Sequence, residues 1–227
     1  MWKDWRQRIK PPNVAWATAE LILTLAVWAA GIRDLVPFAG TPVIFVVATL
    51  SLWWRGPGWR GIGLRRPSSY ATVLALGTAA GLAAQFFGLA LEQLVARFVT
   101  GELPDVSSLR QIVGNETQLV VFLVLSWTVA AFGEEMVYRG WLLTRLAECR
   151  QFSSTGWLLA ALASSALFGA AHIYQGISGV IATGVSGLVF AWLYLRTARN
   201  LWASIVAHGV MDTTGMILIY FDAYPGI

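Results

Sequence analysis

The stretch that decides the fold is residues 119–140, LVVFLVLSWTVAAFGEEMVYRG, an apolar run that ends on Glu134, Glu135 and, four residues later, Arg139. On a helix Glu135 and Arg139 stand one turn apart and can pair, whereas Glu134 points elsewhere and finds no partner in its own segment. No proline follows, so the helix is expected to continue through Leu146, with Glu134 well inside it rather than at its end. If the run lies in a membrane, a carboxylate there is costly and marks a functional site by default.

Composition places it in a membrane. The chain has 227 residues, of which 57% are hydrophobic and 12% charged, where a soluble domain carries roughly 25% charged residues. Its mean hydropathy is +0.63. No polar linker or low-complexity block divides residues 1–227, so a single membrane-embedded domain is expected. Twelve Trp and six Tyr suit a protein with two water–lipid interfaces to line. A net charge of +4, spread over loops, argues against a nucleic-acid surface. Cys149 is the single cysteine, which excludes an intramolecular disulfide.

Apolar runs cover residues 14–32, 36–54, 70–95, the run starting near 119, 156–173, 179–195 and 201–220. Each is near the roughly 20 residues that a spanning helix needs. The expected fold is all-α, a polytopic transmembrane helical bundle of about seven spans, six to eight. The first run follows Lys3, Arg6, Arg8 and Lys10, a pattern that a signal peptide shares; the apolar spans that follow directly favour an uncleaved helix. The second run closes on Trp53 and Trp54, and the loop after it, 55–69, carries Arg55, Arg60, Arg65 and Arg66, expected at anionic headgroups. The loop 96–118 holds Glu102, Asp105 and Glu116 and a short helix around 107–113.

Alternating spans put Lys3, Arg6, Arg8, Lys10, Arg55, Arg60, Arg65, Arg66, Arg145, Arg150, Arg196 and Arg199 on one side, against Arg33, Arg97 and Arg110 on the other. That asymmetry predicts a cytoplasmic N-terminus and an outer C-terminus; the expected localisation is integral, in the plasma membrane of a prokaryote. Gly179, Thr183, Gly187 and Ala191 put small residues at four-residue spacing on the sixth run, a face for close helix packing. No internal repeat is visible, which weighs against a transporter of two similar halves.

The two histidines, His172 and His208, both lie in apolar runs, and Asp212 follows His208 by one helical turn. With Glu134, Glu135 and Arg139 they form an inventory that needs one explanation. Arg139 can neutralise one carboxylate, a poised glutamate can take a proton from water, and a histidine can hold that water or donate to a leaving group. The second histidine can donate hydrogen bonds to the oxyanion formed when water attacks a carbonyl. Such a set fits peptide-bond hydrolysis without a protein nucleophile.

The Glu-Glu-x-x-x-Arg of residues 134–139, the Phe-x-x-x-His ending at His172 and the His-x-x-x-Asp ending at Asp212 occur in that order. They resemble the three motifs of the CPBP family, the CAAX-processing and bacteriocin-processing intramembrane endopeptidases. The segment from Leu195-Arg196-Thr197 through Asn200-Leu201-Trp202-Ala203-Ser204-Ile205 is also similar to that family. The resemblance covers about residues 118–213; the first hundred residues are generic membrane helices. It implies a multi-helix membrane protease in which Glu134 and His172 activate water, His208 with residue 212 stabilises the oxyanion, and Glu135 and Arg139 form a supporting pair. The substrate it implies is a peptide or the tail of a membrane-associated protein, a CAAX tail among the choices. The family often has Asn at the last motif position, and here it is Asp212. An ionised Asp has no proton to donate, so its expected role is to orient His208.

Three other readings compete. His172, His208 and Glu134 match the composition of a zinc site with an open position for water, although no His-Glu-x-x-His places two ligands and a base together; no cofactor is the favoured expectation. A serine protease built on Ser186 and His208 leaves the glutamates and Arg139 unexplained. A membrane scaffold or bacteriocin-immunity factor would keep the polar cluster for stability alone. One geometric demand bears on the favoured reading, and on the zinc site as well. In straight, full-length helices His172 and His208 would lie on the order of 15 Å apart in depth, so a shared site needs short, tilted or broken helices.

Overall fold

The computed structural model describes residues 13–33, 35 and 40–227. The basic cluster Lys3, Arg6, Arg8 and Lys10, on which the orientation of the N-terminus rests, lies outside the described residues, as do residues 36–39 of the second run. Every regular element among the described residues is helical. Seven principal helices follow the seven apolar runs: α1 Val14–Ile32, α2 Thr41–Arg55, α3 Tyr70–Val95, α4 Glu116–Cys149, α5 Ser154–Ala170, α6 Gly176–Arg196 and α7 Leu201–Tyr220. The expected short helix of the 96–118 loop is a 3₁₀ segment, Ser107–Ile112.

Polar residues at the helix starts explain where the helices begin. Asn13, Ser69, Asn115, Ser153 and Asn200 each accept a hydrogen bond from a backbone N–H in the first turn that follows, satisfying a donor that the helix cannot. α2 instead stops at Gly56, whose φ of 88° lies in the left-handed region that favours glycine. Five segments are long and apolar enough to cross a membrane: Val14–Ile32, Tyr70–Thr100, Glu116–Cys149, Ile173–Arg196 and Leu201–Tyr220. Thr41–Arg55 and Ser154–Ala170 are shorter apolar helices, below the roughly 20 residues of a full straight crossing. Their outer faces suit lipid: Trp53 and Trp54 are both 76% exposed.

α4 departs from the straight helix that its sequence predicts. It runs unbroken to Cys149, but Ser126–Leu142 is wound as a π-helix, with the Leu143 N–H donating to the Tyr138 carbonyl. Such winding is commonly a single turn and is frequent at functional sites; here it spans 17 residues and includes Glu134, Glu135 and Arg139. α7 packs along α3 and against α4, and α5 packs on α6. The small-residue face of α6 is used at Gly187, where an added Cβ would come within 3.1 Å of Phe168 Cδ1 on α5 and 3.1 Å of Arg139 Nη2 on α4. Without a side chain there, the arginine fits between the helices.

Arg55 corrects the headgroup expectation for its loop. Its guanidinium pairs with Glu20 of α1 at 2.9 Å and with Glu148 of α4 at 2.5 Å. Arg145 pairs with Glu148 and lies 3.6 Å from Glu20. Glu20 also accepts from Trp16 Nε1 at 2.8 Å and from the Ser51 hydroxyl, and Glu148 from the Asn13 N–H at 3.0 Å. Two arginines and two glutamates thus close on one another where α1, α2 and α4 meet. Arg65 of the same loop donates to the Ala198 carbonyl at 2.5 Å, tying the loop to the turn between α6 and α7.

Candidate active site

The π-wound part of α4 sends its adjacent glutamates into different surroundings. Glu135 is 0% exposed and lies 2.9 Å from Arg139 Nη1, which is itself 0% exposed. Arg139 donates from Nη2 to the Gly187 carbonyl at 3.2 Å and lies over the Phe168 ring at 4.3 Å. Glu134 is half-buried and makes no hydrogen bond or ion pair among the described residues. The charged groups whose fields reach it are His208, Asp212, Arg139 and Glu135. One carboxylate is therefore locked in place, and its neighbour is unpartnered and partly accessible.

α7 brings His208 and Asp212. His208 is 3% exposed, stacked on Phe190 at 5.1 Å and edge-on to Phe168 at 5.8 Å. Its Nδ1 lies 3.1 Å from Glu135 Oε1; a carboxylate oxygen only accepts, so Nδ1 carries the hydrogen. Nε2 faces Asp212 Oδ2 at 3.7 Å, too long for a hydrogen bond. That oxygen accepts instead from the Ser126 hydroxyl of α4 at 2.7 Å. The histidine expected to be oriented by Asp212 is thus flanked by a carboxylate at each nitrogen, with the hydrogen bond going to Glu135.

α5 stops at Ala170, and His172 sits in the turn beyond it. Its Nδ1 donates to the Phe168 carbonyl at 2.9 Å, one of the last-turn carbonyls that a helix leaves unpaired. In the neutral ring this leaves Nε2 as a bare acceptor. Phe168 is 1% exposed, and its ring touches the His172 ring at 5.0 Å as well as that of His208. Both imidazoles therefore lie in one layer around Phe168. The separation in depth that straight helices would impose is avoided because α5 is short and His172 follows its last turn. Glu134 and His172 share no hydrogen bond.

The rival sites can be compared with the same geometry. The Ser186 hydroxyl donates to the Ala182 carbonyl of its own helix at 3.1 Å and makes no bond to His208. No group of three or more His, Cys, Asp or Glu among the described residues is placed to hold a metal ion; the Nδ1 atoms of His172 and His208 are engaged by the Phe168 carbonyl and by Glu135.

Sequence reasoning missed Ser126 and Phe190. Ser126 lies 86 residues from Asp212 in an apolar run, and Phe190 carries no polar signal. The link between Glu135 and His208 was missed for the same reason, since 73 residues separate them. At the adjoining loop, the Ser107 hydroxyl and backbone N–H hold the Asp105 carboxyl below the usual carboxylate range, and the Asp105 N–H donates to the Gln175 carbonyl at 3.1 Å.

Residues 116–214 match the family model described as Type II CAAX prenyl endopeptidase Rce1-like. No curated protein and no solved structure matches the chain. The matched segment contains all three motifs and runs from the start of α4 into α7. Helices long and apolar enough to cross a membrane, together with the match to a peptidase family model, point to an integral membrane protein.

Proposed function

We propose that the protein, whose residues 116–214 match the type II CAAX prenyl endopeptidase Rce1-like family model, is an intramembrane endopeptidase that cleaves with activated water and no covalent intermediate. The observation that supports this is the meeting of helices around Phe168, which gathers both imidazoles on one ring and sets His208 within the field of the unpartnered Glu134. The substrate is a peptide segment at or near the membrane.

Glu134 is the base. It takes a proton from a water that His172 Nε2 helps to orient by accepting the other hydrogen, and the water oxygen attacks the scissile carbonyl carbon. The carbonyl π electrons move onto oxygen, where His208, carrying a second proton on Nε2, faces the developing charge. Glu134 then returns the proton to the amide nitrogen as the C–N bond breaks, giving a carboxylic acid and an amine. Glu135 and Arg139 do not react: their ion pair fixes His208 through Nδ1. Asp212, held by Ser126, flanks the opposite side of the ring. Water activation by a positioned carboxylate and imidazole contributes about 10²–10⁴-fold for each acid–base group.

The test is cleavage of a peptide library by purified protein, comparing wild type with Glu134→Gln and His172→Ala. Cleavage by wild type and its loss in both variants is expected; equal activity in all three contradicts the mechanism. A zinc enzyme would instead be inactivated by chelator and restored by zinc.

A further inference from the structure

An oxyanion site commonly offers more than one donor, and Asp212 stands where the resemblance puts an amide. The protons around Glu134 are mostly committed. Ser126 donates to Asp212, Arg139 to the Gly187 carbonyl, His172 Nδ1 to the Phe168 carbonyl and His208 Nδ1 to Glu135. Asp212, accepting from Ser126, has no proton to give when ionised. If His208 Nε2 supplies one donor, the second must come from elsewhere.

Tyr174 stands beside His172. It lies two residues past His172 on the 3₁₀ turn Ile173–Gln175, its ring 5.7 Å from the His172 imidazole. Its oxygen accepts a hydrogen bond from Gln175 Nε2 at 3.2 Å. That bond uses a lone pair and leaves the phenolic O–H free to donate. The ring is 64% exposed on a turn that is itself anchored: the Gln175 N–H donates to the His172 carbonyl at 2.9 Å, and the Gln175 carbonyl accepts from Asp105 at 3.1 Å. Glu134 and Asp212 both lie within electrostatic range of the phenol.

We propose that Tyr174 is a further catalytic residue, whose O–H donates to the oxyanion of the tetrahedral intermediate in place of the amide that Asp212 replaces. The inference rests on the hydrolytic reading above. The hydroxyl gives and receives no net proton: its hydrogen bond shortens as negative charge collects on the former carbonyl oxygen and relaxes when the C–N bond breaks.

Tyr174→Phe removes one oxygen at an exposed position, so folding is preserved. It should lower kcat by about 10²-fold with KM little changed, as expected for loss of one oxyanion donor. Binding of a non-cleavable phosphinate peptide, whose tetrahedral oxyanion mimics the intermediate, should weaken alongside kcat/KM. Binding of the matching uncleaved peptide to the inactive Glu134→Gln protein should be the same with and without Tyr174→Phe. Unchanged kcat in Tyr174→Phe, as for a tyrosine that only anchors the turn at the lipid interface, overturns the inference, and so does equal weakening of phosphinate and peptide. If wild type cleaves and Glu134→Gln does not, such a result removes Tyr174 alone from the mechanism. A wild type that cleaves nothing removes the hydrolytic reading and this inference together.

Discussion

α4 carries two buried charge clusters, and they are built differently. At its C-terminal end, Glu20, Arg55, Arg145 and Glu148 balance two charges of each sign, and both carboxylates accept several hydrogen bonds. In the π-wound part, Glu134, Glu135 and Asp212 face Arg139 and His208, and among the described residues Glu135 Oε2 lacks a hydrogen-bond partner and Glu134 forms no hydrogen bond or ion pair. A balanced and saturated set fixes how helices meet. A set with surplus carboxylate, two imidazoles and partial access has capacity left for a substrate and a water. Burial of charge alone therefore does not mark an active site; unspent hydrogen-bonding capacity does.

Variants in the two clusters can break that contrast. The largest effect belongs to Glu134→Gln, which should lower cleavage by about 10³-fold and leave the melting temperature in detergent unchanged, since no bond is lost. His172→Ala should cost about 10²-fold in kcat, measured on the same peptides. Arg139→Leu acts on stability instead. It removes the ion-pair partner of Glu135, which keeps only the His208 hydrogen bond at 0% exposure, a loss of about 3–5 kcal/mol, read by thermal unfolding; adding Glu135→Leu should recover part of the stability and none of the cleavage. Glu148→Gln should cost less, about 1–3 kcal/mol, because Arg55 and Arg145 both keep Glu20 nearby, and the folded protein should cleave as wild type does. The smallest change is expected for Asp212→Asn, whose side-chain oxygen can still accept from Ser126: a rate within about tenfold of wild type.

The same contrast explains what the sequence made legible. Helix limits were readable because long apolar runs end at polar caps: residues 14–32, 70–95 and 201–220 coincide with α1, α3 and α7. The pairing of Glu135 with Arg139 was readable because it is local, one turn along the chain. The cluster of Glu20, Arg55, Arg145 and Glu148 was not, since its members lie on α1, α2 and α4 and meet only through tertiary packing; Arg55 is 93 residues from Glu148. A signal was present all the same. Glu20 sits inside an apolar run, and the cost argument applied to Glu134 applies to it equally. The π winding of α4 left no trace, because no proline or glycine pattern announces it. The layer shared by His172 and His208 depends on α5 ending at Ala170, three residues short of where hydropathy alone put its end.

The central claim is that adjacent glutamates on one helix divide the work, Glu135 holding the site and Glu134 performing the chemistry. It is tested most directly by single-turnover cleavage of a peptide library in lipid bilayers, using metal-stripped wild type and Glu134→Gln protein of equal melting temperature. The account predicts products from wild type and none from Glu134→Gln. Products from both at the same rate would contradict it.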